Sequence, residues 1–245
     1  MGIAAAAVAL LLQAAPSPAA PSAAESPVCE TAAQAVIFPG TGQTFTLPPD
    51  ENSACPQLPP VPIRPPAPNI FGSVALPVKS TRLDWRWHQA RAATPLDSAA
   101  PGAGIVARAQ SLGEREKLSL VNSWVNSTLR FTEDDIGDHW ASAAETFRSG
   151  AGDCEDFAIA KLTLLQEAGL VTDSLFLVIV RDTQRNVDHA VLGARLNGEM
   201  LVLDSRTDRI LPSSIISDYQ PIFSFSGEFA WTHGYARGAS SAPGQ

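Results

Sequence analysis

Cys154 follows the turn-forming run Gly150-Ala151-Gly152-Asp153. After it, Phe157, Ala160, Lys161, Leu164, Leu165 and Ala168 continue a stripe at helical spacing until Gly169 ends it. The cysteine therefore lies at or just before a helix N-terminus, where unpaired N–H groups and the positive end of the helix dipole stabilise a thiolate. Asp153, Glu155 and Asp156 oppose that effect. Each raises the thiol pKa by like-charge repulsion unless a cation lies among them. Either the acids hold a metal ion or the cysteine is no nucleophile.

Further along, His189 to Leu196 and Glu199 to Asp204 are apolar runs flanking Asn197-Gly198. That pattern predicts a β-hairpin with a two-residue type I′ turn. The turn sets a register in which Leu196 faces Glu199, Val191 faces Asp204 and His189 faces Arg206. Residues two apart on a strand share a face, so His189 and Asp204 become diagonal neighbours. Ala190, Leu192, Ala194, Leu196, Leu201 and Leu203 form the opposite face, the one expected to be buried. A thiol that attacks a carbonyl, an imidazole that takes and returns the proton, and a carboxylate that fixes the imidazole are the parts of acyl transfer. Cys154, His189 and Asp204 supply them in chain order. The plainer readings are an inert buried cysteine, a histidine ending a strand in solvent and an aspartate closing a turn. His88, His139 and His233 lack such a partner pattern and are assigned to surface or packing roles.

Asp134, Asp135 and Asp138 join Asp153, Glu155 and Asp156 in a group with two readings. One is a solvated negative face, the usual meaning of a charge run. The other is an oxygen-rich ligand set suited to Ca²⁺. No EF-hand loop and no Cys/His spacing for zinc is present.

The elements that must position these residues form an α+β chain, helices first and strands after. Ser111 to Leu129 is predicted as a helix with Leu112, Leu118, Leu120, Val121, Trp124 and Val125 on one side. Shorter helical stretches fall near His88 to Ala93 and Ala143 to Phe147, and Phe131 to Trp140 reads as an acidic turn. Leu175 to Val180 is a strand, Arg181 to Asp188 a polar connection, and Ile210 to Pro212 and Tyr219 to Phe229 add edge strands. Residues 69–237 are the main domain.

Ahead of it, residues 1–24 read as a secretory signal, because the apolar run Ile3 to Leu12 is too short to span a bilayer and small residues follow it. A low-complexity Ala/Pro tail is the alternative. Residues 25–68 form an arm tied by a Cys29–Cys55 disulfide and a Pro-rich linker, which leaves Cys154 free. Residues 238–245 form a disordered tail. The net charge is −8 with Lys and Arg scattered, so no basic patch suits a nucleic acid.

Gly152-Asp153-Cys154-Glu155-Asp156-Phe157-Ala158-Ile159-Ala160-Lys161 carries a family likeness, together with Asp135-Ile136-Gly137-Asp138-His139-Trp140 before it and His189-Ala190-Val191-Leu192 and Leu201-Val202-Leu203-Asp204 after it. It resembles the bacterial transglutaminase-like cysteine peptidases, whose LapG-type members are periplasmic proteases. The likeness runs from about Phe71 to Trp231. It implies a papain-like, transglutaminase-like core with N-terminal helices packed on an antiparallel sheet, behind the Pro-rich extension. It also implies a Cys154, His189, Asp204 triad and Ca²⁺ held by Asp153, Glu155 and Asp156, an ion that would neutralise the acids opposing the thiolate.

By the same resemblance the substrate is a large surface adhesin, clipped near its N-terminus so that biofilm disperses. The partner is an inner-membrane cyclic di-GMP receptor, and the mature protein has no membrane span. Ala190 stands where a methionine is usual, Ser205 where an asparagine is, and Phe157 where a tyrosine is common; none of these removes a catalytic atom. The expected activity is that of a calcium-dependent periplasmic cysteine endopeptidase. The alternatives are a transglutaminase or amidase with the same triad, and a catalytically silent exported binding module.

Overall fold

A computed structural model describes residues 35–37, 44–46, 62–91, 101–134 and 137–236. The expected signal segment, Cys29, Cys55 and their pairing, Asp135 and the C-terminal tail lie outside those residues. The chain divides into two units, residues 1–60 and 61–245. In the first, β1 (Ala35–Ile37) pairs antiparallel with β2 (Thr44–Thr46).

The second unit opens with β3 (Val74–Val78) and then runs through helices. These are α1 (Asp84–Arg91), α2 (Ala103–Gln110) and α3 (Glu114–Thr128). After the short β4 (Arg130–Phe131) come α4 (Ala143–Ser149), β5 (Ala151–Gly152) and α5 (Cys154–Glu167). The single long helix expected over Ser111 to Leu129 is shorter at its start. Gly113 supplies the extended N-cap, and Glu114 and Glu116 occupy the first turn, where the helix dipole favours them. Leu118, Val121, Asn122 and Val125 face inward at helical spacing, whereas Leu112 lies between helices and is exposed.

Strands fill the rest: β6 (Leu175–Asp182), β7 (Val187–Leu196), β8 (Glu199–Asp204), β9 (Thr207–Pro212), β10 (Tyr219–Ser226) and β11 (Phe229–Gly234). With β3 they make a seven-stranded antiparallel sheet in the order β3-β11-β10-β6-β7-β8-β9. The segment expected as edge strands, Tyr219 to Phe229, is instead interior. β10 pairs with β6, and β11 lies between β10 and β3. That placement is a non-local pairing, which local pattern does not encode.

The β7–β8 hairpin forms as the Asn-Gly turn dictates. Asn197 and Gly198 have φ of 51° and 82°, and the ladder runs from Leu196↔Glu199 to Leu192↔Leu203. There it stops. A register shift between Val202 and Asp204 in the β8–β9 pairing leads Asp204 out of line, so the expected Val191–Asp204 and His189–Arg206 pairs are not part of the ladder. Residues 187–191 of β7 keep their partners on β6.

Both faces of the sheet are covered, not the Ala190/Leu192 face alone. On that face Leu192, Ala194, Leu201 and Leu203 pack with Leu164 and Leu165 of α5 and Leu118 and Val125 of α3. On the other, Val178, Val180, Val191 and Val202 meet Ile70, Phe71, Tyr219 and Trp231, because the segment before β3 folds across it. Among the described residues no helix is long and apolar enough to cross a membrane.

Candidate active site

The loop before α5 is set by a chain of backbone contacts. Gly150 ends α4 in the left-handed region, at φ 66°, and its N–H bonds Thr146 O at 2.9 Å. Ala151 and Gly152 then pair in parallel with Arg130 and Phe131. Asp153 caps α5 in an extended conformation: its carboxylate accepts from Asp156 N at 3.3 Å, and the Asp156 carboxylate accepts from Asp153 N at 3.4 Å. This reciprocal box satisfies donors that would otherwise be orphaned at the helix start. Glycine is required at 152, since a Cβ there would stand 2.6 Å from Asp156 Cβ and 2.5 Å from its Oδ2.

Cys154 is the first residue of α5, half-buried and free. Its thiol donates to Glu155 Oε2 at 2.9 Å, and the backbone of Ala190, next to His189, lies beside the sulfur. Burial, then the Glu155 charge and hydrogen bond, push the thiol well above its ordinary pKa; the Ala190 contact acts in the opposite sense. The sulfur in this state keeps its proton, as the surrounding acids led one to expect.

His189 on β7 is 2% exposed, and Nε2 lies 2.8 Å from Asp204 Oδ1 at the end of β8. Burial alone would raise Asp204. Hydrogen bonds from His189, Tyr219 and the Arg206 backbone instead hold it at about 2. An ionised Asp204 can only accept, so Nε2 carries the hydrogen. The Tyr219 hydroxyl donates to Asp204 Oδ2 at 2.6 Å, and Arg206 N–H donates to Oδ1 at 3.0 Å. The Tyr219 ring also packs edge-on to the imidazole, centroids 5.7 Å apart. Arg206 in turn bonds Asp182 Oδ2 at 2.7 Å, and Asn126 of α3 bonds the Asp204 carbonyl at 3.0 Å.

Of the three residues expected to meet, the structure joins His189 to Asp204 directly and sets Cys154 against the neighbouring peptide. Tyr219, Arg206 and Asn126 were not foreseen. Asp204 followed by Ser205-Arg206 is an Asx-turn pattern that could have flagged the Arg206 contact. Asn122 and Asn126, one helical turn apart on a buried face, were a readable polar pair. Tyr219 offered no local sign.

Asp153, Glu155 and Asp156 behave as a crowded set. Glu155 and Asp156 are each raised to about 7, by burial first and then by the charge of Asp153. Asp153 is raised by burial, and further by Asp134 and Asp138. Among the described residues no three ligating side chains already close on one point, because Asp153 and Asp156 are turned toward each other's backbone. The donor chemistry nevertheless fits a hard cation: all ligating atoms are carboxylate oxygens whose mutual repulsion an added positive charge would relieve. Beside them, a pocket of about 380 Å³ is lined by Asp134, Ala141, Glu145 and Asp156 among others.

Comparison with known proteins bears on this arrangement. The profile of the bacterial transglutaminase-like cysteine proteinases (BTLCP) matches residues 101–226. The chain belongs to that family. It is a cysteine protease, and the match contains Cys154, His189, Asp204 and the crowded acids while leaving β3, α1 and β11 outside. Among solved structures, Legionella pneumophila LapG is 30% identical, over 57% of this chain and 79% of that one, with a TM-score of 0.51. EGTA-treated LapG from the same organism is 26% identical over 66% and 95% of the two chains, and calcium-bound LapG 26% over 67% and 91%, each with a TM-score of 0.51. No curated protein matches the chain.

The α+β core of helices on an antiparallel sheet is thus the fold this proteinase shares with LapG. Residue 190 reaches the sulfur through its backbone, and Phe157 packs against Phe131 with centroids 6.3 Å apart.

Proposed function

We propose that this proteinase is a calcium-dependent periplasmic cysteine endopeptidase with Cys154, His189 and Asp204 as its triad. The reading rests on the buried His189–Asp204 bond, with the peptide next to His189 lying beside the Cys154 sulfur. Asp204, fixed by Tyr219 and Arg206, holds the ring so that Nδ1 is the nitrogen left for proton exchange.

The Cys154 proton passes to Nδ1, and Sγ attacks the scissile carbonyl carbon. The imidazolium returns that proton to the leaving amine as the C–N bond breaks, leaving an acyl thioester. Nδ1 then takes a proton from water, whose oxygen displaces Sγ, and the proton ends on the thiolate. Asp153, Glu155 and Asp156 are the residues that would hold Ca²⁺, which supplies the positive charge that favours the thiolate among these acids. LapG has been captured in calcium-bound and EGTA-treated forms, which supports the same ion here. A large surface adhesin as substrate, control of biofilm attachment and an inner-membrane cyclic di-GMP receptor as partner extend the LapG-type likeness.

The test is incubation of the purified protein with an N-terminal adhesin fragment and a labelled amine, with and without calcium. Cleavage should occur, vanish in Cys154→Ala, vanish in EGTA and return with calcium. Full activity in excess EGTA would reject the required ion. Amine incorporation without chain cleavage would turn the reading to a transglutaminase.

A further inference from the structure

Lys161 lies two turns along α5 from Cys154 and has none of its surface exposed. Among the described residues its Nζ has no hydrogen-bond partner; the Phe157 ring centroid stands 5.9 Å away. The stripe of α5 assigns this position to an apolar side chain, and an enclosed ammonium is costly unless its charge is used.

Two more buried atoms lack partners on the adjoining helix: Oδ1 of Asn122 and Oδ1 of Asn126. The amide nitrogens of the same two residues grip the turn after β8. Asn126 Nδ2 lies 3.0 Å from Asp204 O, 3.1 Å from Thr207 O and 2.9 Å from Asp208 Oδ1. Asn122 Nδ2 lies 3.0 Å from Thr207 O. Burial lowers the Lys161 pKa to about 7, and the charges that oppose this come from that turn as well, Asp204 at the end of β8 and Asp208 on β9, while α3 brings only the two neutral amides. An ammonium that can only donate and two oxygens that can only accept are thus left buried without partners on the two helices, one of which grips the turn that carries Asp204.

We propose that Lys161 is a positioning residue for the triad: its enclosed ammonium, set with Asn122 and Asn126 behind the Asp204–Asp208 turn, keeps Asp204 in place against His189 and adds a positive charge beside the pair. A cation beside this carboxylate favours its charged form and disfavours a second positive charge on the imidazole. The imidazolium formed during acyl transfer then gives up its proton to the leaving amine more readily. This inference rests on the triad reading above.

Ring titration of His189 by ¹H–¹⁵N NMR, in the calcium-loaded full chain and in Lys161→Met, tests it without a substrate. Methionine keeps the length and removes the charge. The His189 midpoint should rise by roughly one pH unit in the variant, and the melting temperature should hold or increase. An unmoved midpoint in a folded variant would overturn the proposal, since a lysine that only fills space would leave the ring unaffected.

If Lys161→Met does not fold, ¹³Cε-lysine labelling of the unmodified chain decides. Loss of the Lys161 proton should produce a step in the His189 ring shifts at the same pH, by reciprocal linkage. A Lys161 titration with no such step refutes the assignment. Because no cleavage is measured, either result stands apart from the fate of the protease reading.

Discussion

The Asp204 carboxylate receives three hydrogen bonds, and the one from Tyr219 can be removed with least disturbance. Tyr219→Phe keeps the ring that packs on His189 while deleting one donor to a buried charge, a loss of about 1.5–3 kcal/mol. If that interaction tightens as the imidazolium forms, kcat should fall roughly ten-fold or somewhat more, with KM little changed. An unchanged kcat would show that Tyr219 only packs. Gly152→Ala tests the loop instead. The added methyl meets Asp156, so the capping box must open, and the melting temperature should drop along with activity, by an amount set by about 1–2 kcal/mol of lost capping. At this scale the sequence was informative where chemistry is local. A cysteine at a helix start and a histidine and aspartate tied by an Asn-Gly turn can be read from spacing. Tyr219 could not, because it reaches Asp204 from a strand that is not its neighbour in the ladder.

Among the elements, His233 of β11 joins three segments. Its Nδ1–H donates to Ser73 Oγ at 2.8 Å, its Nε2 accepts from Ser224 Oγ at 2.9 Å, and Ser73 O–H donates to Ile70 O at 2.7 Å. This network needs a neutral ring, and burial lowers its pKa to about 4. The unfolded chain takes up a proton near pH 6.5 that the folded one refuses. Stability from this group is therefore full above that pH and is lost as the pH falls toward 4. Urea titrations at pH 7 and pH 4.5 should show the unmodified protein losing about 2 kcal/mol more than His233→Asn. Equal losses would mean that the ring is protonated in place. The surface or packing role expected for His233 named neither serine: Ser224 sits on the neighbouring strand β10, and Ser73 lies just before β3, far away in the chain. The helix α2 was missed for another reason. It is short, contains Gly104, and has no side-chain cap at its start.

Over the whole second unit, order in the chain and order in the sheet disagree. The hairpin β7–β8 and its neighbours β6 and β9 follow sequence, whereas β10 and β11 return to fill the space between β6 and β3. Helices followed by strands were evident from pattern; this return was not, because a strand's place depends on which edge is open when it arrives. Its energetic weight is large. Trp231 and Phe225 are fully buried, one against each face, and Tyr219 is the first residue of the returning pair. A chain ending after Ser217 should therefore fail to unfold cooperatively and should bind an apolar dye at neutral pH. A sharp thermal transition in that fragment would show that the sheet stands without its last two members.

Because those members occupy interior places, a polypeptide emerging amino end first, from a ribosome or through a translocation pore, cannot complete its sheet until residue 234 is out. The carboxylate that orients His189 lacks its tyrosine for that whole interval. Synthesis in this order puts the thiol, the ring and the carboxylate out of the pore before the strand whose tyrosine steadies them.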